Sequence, residues 1–150
     1  MVFNRSHYED ILVVRVHKLA TEAVWQQRYI AINDFEQMLA QEGTTILKFY
    51  LNISKNEQKE RLQERLDDPQ KHWKFNPADL KERALWDDYT SAYQDAISET
   101  STEWAPWYVI PANHNWYRNL IVASVIVQAL EDLKIKYPEP AEDLDKIMIQ

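Results

Sequence analysis

The chain has 150 residues, of which 45% are hydrophobic and 27% charged, and its formal net charge is −7. These values predict one globular domain, and the negative charge argues against a general nucleic-acid-binding protein. No apolar run reaches the roughly 18 residues of a membrane span, no signal-peptide pattern opens the sequence, and the lack of cysteine excludes disulfides, zinc–thiolate sites and thiol catalysis. We therefore expect a cytoplasmic protein that does not bind membranes.

The first third of the chain predicts a strand end, a polar loop and a long helix. Val2–Phe3 has the character of the last residues of a strand, and residues 4–8 are a polar loop. Residues 11–14 are an apolar patch whose secondary structure the pattern leaves open. A helix is predicted over Thr21–Gln41, with Gly43 as its C-terminal cap. Its apolar stripe consists of Val24, Tyr29, Ile32, Phe35, Met38 and Leu39.

The middle of the chain predicts a buried strand followed directly by a helix. Residues 44–53 (TTILKFYLNI) are β-branched, aromatic and apolar on both faces, which is typical of a strand inside a parallel sheet. Ser54 and Glu57 form a capping box that begins a helix, and Asp68 with the proline after it ends that helix. Residues 70–75 are predicted to be a short linker. A strand that leads straight into a helix is the repeating unit of an α/β fold.

The last part of the chain repeats this order after a helical excursion. Residues 76–100 are predicted to form one helix, capped by an asparagine and with proline in its first turn. Residues 107–112 (WYVIPA) predict a second buried strand, followed by a helix over 113–133 or 115–133 and an extended acidic tail over 134–150. Two strands and a strand end are too few for an independent sheet. The sequence therefore predicts part of an α/β sandwich with an inserted helical pair.

The glycine count limits how this fold could hold a nucleotide, because the chain has one glycine, Gly43. A phosphate-binding loop needs several glycines so that backbone N–H groups can approach the anion. Neither GxxxxGK[ST] nor GxGxxG can be written in this sequence. If the fold handles a nucleotide, its main phosphate cradle lies outside this chain.

The polar loop after the strand end is the first candidate site. α/β folds place ligand sites at the carboxyl ends of parallel strands. Arg5 could bind phosphate oxygens through two N–H groups, Glu9 could hold a magnesium ion, and His7 could donate a hydrogen bond to phosphate. Asn4 belongs to the same loop. The alternative is an ordinary polar turn.

The second candidate site is a basic set in the helical excursion, which could hold a polyanionic phosphate donor over a cleft. Its members are Arg61, Arg65, Lys71, Lys74 and Arg83. The first two are four residues apart and therefore share a helix face. The alternative is salt bridging on a solvated surface. The carboxylates available for it are Glu57, Glu64, Asp67 and Glu82.

Five segments carry a recognisable pattern. They are FNRSHYED (3–10), RYIAINDFE (28–36), TTILKFYLNISKNEQKERLQERLDDPQKHWKFNPADLKERALWDDY (44–89), STEWAPWYVIPANHNWYRN (101–119) and YPEPAEDL (137–144). Together they resemble the polyphosphate kinase 2 family, and most closely its branch that phosphorylates AMP and ADP. The resemblance implies an α/β fold, namely part of a three-layer P-loop sandwich of the thymidylate-kinase type with parallel strands. It also implies a helical lid over about 55–89, and a homo-oligomer in the full-length family.

The resemblance implies a reaction as well. Members of this family transfer a phosphoryl group between inorganic polyphosphate and nucleotides of the AMP, ADP and ATP series, with Mg²⁺. By resemblance Arg5 is a phosphate ligand, and Glu9 binds the metal or positions the acceptor. Asn4 stands where other branches carry aspartate, and His7 belongs to the same Walker-B-like segment. By the same resemblance, the residues of the basic set become candidates for holding the polyphosphate chain or the transferred phosphoryl group.

The chain departs from the family pattern in one respect. The family has a Walker A loop of the type G-x-D-x-x-G-K-D-G upstream of the FNRSHYE segment, and this chain begins at that segment. We therefore expect a C-terminal part of a polyphosphate:nucleotide phosphotransferase with little or no activity alone. The alternative is a non-catalytic module that binds polyphosphate or assembles with a full-length homologue.

Overall fold

The computed structural model describes residues 1–139, so most of the predicted tail lies outside the described residues. The elements in chain order are α1 (Glu9–Val16), α2 (Glu22–Gln41), β1 (Lys48–Asn52), α3 (Lys55–Asp67), a 3₁₀ helix (Pro69–Lys74), α4 (Ala78–Ala84), α5 (Trp86–Thr100), β2 (Trp107–Pro111) and α6 (Asn115–Asp132). Within 1–139, no helix is long and apolar enough to cross a membrane.

The sheet consists of β1 and β2, which pair in parallel, so the predicted α/β class with parallel strands is confirmed. The register runs from Lys48 opposite Trp107 to Asn52 opposite Pro111. The first strand is shorter than predicted, because its pairing partner offers only five residues. Both strands end at one edge, and α3 and α6 begin just beyond it.

The predicted strand end at Val2–Phe3 is wrong for the described residues. Neither residue is in a strand, and both side chains are exposed. A strand is defined by its pairing, and the two-stranded sheet in the described part of the chain does not include these residues. The apolar patch that the pattern left open is α1, which buries Ile11 and Leu12 in the main core. The other core residues are Tyr8, Tyr29, Ile32, Ala92 and Ala96.

The long helix α2 and its cap are confirmed. Gly43 has φ +82°, its N–H bonds to the carbonyl of Ala40, and the N–H of Thr44 bonds to that of Leu39. These two bonds are those of a Schellman motif, which leaves the glycine in a left-handed conformation. The motif turns the chain out of the helix and toward β1.

Replacing Gly43 with alanine should lower the free energy of unfolding by about 1 kcal/mol. A β-carbon at this position would meet no atom within 4 Å, so the loss comes from the left-handed backbone and not from a clash. Urea denaturation is the measurement. Glu42→Ala is the matched control, because Glu42 is the helix cap with φ −82° and should change stability little. Equal losses for the two variants would contradict this interpretation.

The segment 55–84, called here the helical arm, differs from the prediction in three details. Ser54 Oγ accepts from the backbone of Glu57 as expected, but the Glu57 carboxylate turns to Arg61 instead of completing the capping box. The predicted linker is a 3₁₀ helix, which the Asp68 carboxylate caps. The predicted helix over 76–100 is two helices, broken at Leu85. The two parts have different partners, since α4 is held to α3 and α5 packs against α1.

Candidate active site

The loop before α1 brings the two predicted catalytic side chains together. Arg5 Nε lies 3.4 Å from Glu9 Oε1, and the arginine side chain is 81% exposed. Glu9 is the first residue of α1, so its carboxylate stands at the positive end of that helix. Asn4 directly precedes Arg5 in the sequence, and its side chain is exposed. An exposed guanidinium beside a carboxylate is an arrangement that can bind a phosphate group and a cation together.

Arg5 has φ +80°, which is uncommon for a residue with a β-carbon. Such conformations cost of order 1–3 kcal/mol and cluster at ligand sites. The next residue, Ser6, accepts the N–H of Glu9 on its carbonyl and lies 3.4 Å from the N–H of Tyr8 through its hydroxyl. This tight turn aims Arg5 into solvent.

His7 of the same loop contacts the interior on one side, and its role as a hydrogen-bond donor to phosphate stays a prediction. Its Nε2 lies 3.5 Å from Glu36 Oε1, and its ring packs edge-on against Phe35. The side chain is still 42% exposed, so it joins the loop surface to the interior.

A buried polar cluster that sequence reasoning missed lies directly beneath the loop. Lys48 Nζ donates to Glu36 Oε2 at 2.6 Å, to the Thr100 carbonyl at 2.7 Å and to the Tyr8 hydroxyl at 2.9 Å. The Tyr8 hydroxyl donates to Glu36 Oε1 at 2.9 Å. Glu36 is 2% exposed and Lys48 7%. Trp107 extends the cluster by donating its indole N–H to the Thr100 hydroxyl.

The environment of this cluster changes the pKa values of its members. Burial acts to raise the pKa of Glu36, but hydrogen bonds from His7, Lys48 and Tyr8 outweigh it and hold that pKa below its usual range. Burial lowers the pKa of Lys48, an effect that the Glu36 carboxylate opposes. Burial also raises the pKa of Tyr8, so its hydroxyl stays protonated and able to donate. The sequence signal was a lysine inside an apolar strand and a glutamate on an apolar helix stripe.

The predicted basic set is spread along the helical arm, and two of its arginines hold the arm together. Arg83 donates to the Lys55 carbonyl and to Gln58, and Arg65 lies 3.7 Å from Asp79. Of the salt bridges expected in the alternative, Arg61 forms one with Glu57, whereas Arg65 pairs with a carboxylate outside the expected four. Lys71 and Lys74 make local contacts on the 3₁₀ helix, where the first lies 3.4 Å from Asp68 and the second lies over the exposed ring of Trp73.

Arg61 connects the arm to the carboxyl edge of the sheet. Its guanidinium donates to Glu57 and to the carbonyls of Ala112 and Asn113 just after β2. Asn113 in turn accepts the N–H of Ser54 after β1. These bonds border a cleft of about 440 Å³ between the two strand ends. Its lining includes Asn52, Ser54, Asn113, His114 and Tyr117.

Comparison of the chain with known proteins identifies its family. The sequence model of polyphosphate kinase 2 matches residues 1–138. The chain belongs to the polyphosphate kinase 2 family. The AMP/ADP-polyphosphate phosphotransferase of Meiothermus ruber is 61% identical over all 150 residues, which cover 56% of that protein. The crystal structure of polyphosphate kinase 2 from Arthrobacter aurescens TC1 matches with a TM-score of 0.93 and 53% identity, over 96% of this chain and 51% of that one.

The chain thus spans about half the length of these two polyphosphate kinase 2 proteins. A third relative differs in extent. A protein from the chlN 3′ region of Leptolyngbya boryana is 46% identical over 119 residues, which are 79% of this chain and 88% of that protein.

Proposed function

We propose that this chain is the C-terminal part of a polyphosphate-dependent nucleotide phosphotransferase, which transfers a phosphoryl group between inorganic polyphosphate and AMP or ADP. The observation that carries the proposal is the exposed Arg5–Glu9 pair, 3.4 Å apart on a loop that a buried cluster supports, in a chain of this family. In this proposal the sheet is part of a three-layer P-loop sandwich, and the helical arm is its lid.

The chemistry of phosphoryl transfer assigns roles to the side chains of this chain. The transition state spreads negative charge over phosphoryl oxygens, and enzymes stabilise it with cations and positioning. Arg5 binds those oxygens, with Asn4 beside it and His7 supporting the loop from within. Lys71 and Lys74 hold the polyphosphate chain from the arm.

Lys71 pairs with Asp68 within its own turn. Arg61, Arg65 and Arg83 instead join separate elements, because Arg61 and Arg83 donate to carbonyls after β2 and in α3, and Arg65 of α3 lies beside Asp79 of α4. These three arginines therefore have mainly a positioning role in this proposal. Their contribution to polyphosphate binding is then indirect, through the orientation of the arm. The full-length protein is proposed to act as a homo-oligomer, as the family resemblance implies.

A magnesium ion is part of the proposal, with Glu9 as its ligand. In residues 1–139 no group of three histidine, aspartate or glutamate side chains is arranged to hold a metal. Mg²⁺ is commonly bound by one or two carboxylates together with substrate phosphates and water, so the half-exposed Glu9 fits as the contribution of this chain. The ion would supply positive charge that offsets the negative charge of the phosphates during transfer.

The glycine-rich cradle must come from a segment that this chain does not contain, since the chain has one glycine. The test is therefore complementation. The chain is mixed with the part of the Meiothermus ruber relative that it does not cover, and ATP or ADP formation from polyphosphate and Mg²⁺ is measured. We expect activity in the mixture and little in either part alone. A mixture that forms a complex but shows no activity above the separate parts would contradict the proposal.

A second candidate function is a non-catalytic module that binds polyphosphate or assembles with a full-length homologue. The observation that favours it is the Leptolyngbya boryana relative, of which 88% is matched. Isothermal titration of the chain alone with polyphosphate separates the candidates. Tight binding together with failed complementation supports the module.

A further inference from the structure

We infer that Lys48, Glu36 and Tyr8 are positioning residues that orient the Arg5–Glu9 loop for phosphoryl transfer. This inference rests on the proposed function and adds three buried residues to which that function assigns no contact with substrate. The three side chains, with the Thr100 carbonyl, are called here the clamp.

The clamp is fully hydrogen-bonded. An ammonium group has three N–H donors, and those of Lys48 go to Glu36, Tyr8 and the Thr100 carbonyl at 2.6–2.9 Å. Both carboxylate oxygens of Glu36 are used, one by Lys48 and one by the Tyr8 hydroxyl. A buried network in which each member has its partners is rigid and admits one geometry.

The clamp reaches the reacting loop through Tyr8. This residue precedes Glu9 and caps α1, and its carbonyl accepts the N–H groups of Ile11 and Leu12. The position of the Tyr8 ring therefore sets where α1 begins and where the Glu9 carboxylate stands. Three residues earlier, Arg5 lies on the same tight turn. The hydroxyl bonds thus anchor the loop that carries both predicted catalytic side chains to β1 and α2 and, through Lys48, to the end of α5.

Stability alone does not account for the clamp. Placing two charges in the interior costs desolvation, and apolar side chains of similar volume stabilise a core as well or better. A fixed network provides orientation, and a misplacement of about 1 Å at a reacting group can cost roughly 10²-fold in rate. The His7 ring, 3.5 Å from Glu36, adds a second contact between loop and clamp.

Tyr8→Phe tests the inference because it removes one hydroxyl and keeps the ring. In the complemented enzyme we expect kcat to fall by about tenfold or more, with KM for polyphosphate and nucleotide within about twofold. Tyr50→Phe is the matched control, since Tyr50 is half-buried, stacks on Tyr93 and lies outside the clamp. Ile32→Val, a core variant, controls for lost stability. A kcat of Tyr8→Phe equal to that of these controls would overturn the inference.

Hydrogen exchange on the chain alone gives a second measurement that needs no activity. The amides of Glu9 and Asp10 bond to the carbonyls of Ser6 and His7 within the turn. In Tyr8→Phe they should exchange about tenfold faster, and in Tyr50→Phe they should be unchanged. Unchanged exchange in Tyr8→Phe would overturn the clamp. If the wild-type mixture is inactive, the proposed function fails on its own, and the exchange result still decides the clamp.

Discussion

Lys48→Met should lower the free energy of unfolding by about 3–5 kcal/mol, because it leaves the Glu36 carboxylate buried without its cation. The lysine is 7% exposed and the glutamate 2%, so water cannot replace the lost partner without opening the core. The Thr100 carbonyl and the Tyr8 hydroxyl each lose a donor as well. Urea denaturation of the chain measures the loss. Where Lys48→Met fails to fold, Glu36→Gln provides a milder disruption of the same pair.

The double variant Lys48→Met/Glu36→Leu separates a broken ion pair from a general packing defect. It removes both charges, so it should be at least as stable as Lys48→Met alone, with a coupling energy of about 2 kcal/mol or more. Lys59→Met on the exposed surface of α3 is the matched control and should stay within about 0.5 kcal/mol of the wild type. Losses that simply add in the double variant would show that the pair contributes nothing specific.

The same pair predicts how stability depends on pH. The pKa of Glu36 is lower in the folded chain than its ordinary value of 4.5. Its ionised form therefore adds stability that is fully present above pH 4.5 and is lost as the pH falls through the folded-state pKa. The difference in unfolding free energy between wild type and Glu36→Gln should therefore shrink as the pH falls below 4.5. A difference that grows in acid would contradict this sign.

Those parts of the fold that depend on contiguous residues could be predicted from the sequence. The helix α2, its Gly43 cap and the Ser54 cap of α3 are encoded within a few neighbouring residues each. The helix α1 could not be assigned, because eight residues give about two turns and its apolar side is defined by contacts with α5. The predicted strand at Val2–Phe3 was wrong because pairing depends on a neighbour, which a local pattern does not contain.

The candidate site divides in the same way. Arg5 and Glu9 are four residues apart, so their proximity follows from local sequence. The clamp joins residues separated by 12 to 52 positions, and no local pattern brings them together. A charged residue on an apolar face nevertheless predicts a buried partner, because an unpaired charge in a core is too costly. Lys48 within ILKFYL and Glu36 on the apolar stripe of α2 were two such signals, and the two residues are each other's buried partners.

Arg5→Gly should lower kcat of the complemented enzyme by roughly 10²–10³-fold, the loss typical of removing one preorganised group that stabilises transition-state charge. The same variant should not lower the stability of the chain. Arg5 has φ +80°, a conformation that glycine adopts without strain, so the change should stabilise by up to about 1 kcal/mol. The lost contact with Glu9 is exposed and contributes little to folding. Steady-state kinetics measures the expected loss of kcat, and thermal unfolding measures the expected unchanged or raised stability.

Lys18→Gly is the matched control for Arg5→Gly. Lys18 also has a left-handed backbone, with φ +54°, and it follows α1 outside the proposed loop. Both changes remove one positive charge and relieve one strained residue, so both should leave stability unchanged or raised. Only Arg5→Gly should lose activity, because in the proposed function the phosphoryl oxygens are bound by Arg5 and not by Lys18. If Arg5→Gly and Lys18→Gly have equal kcat, the Arg5 guanidinium has no role in phosphoryl transfer. The left-handed turn at Arg5 would then be a feature of the fold alone, and the loop would no longer be the proposed reacting site.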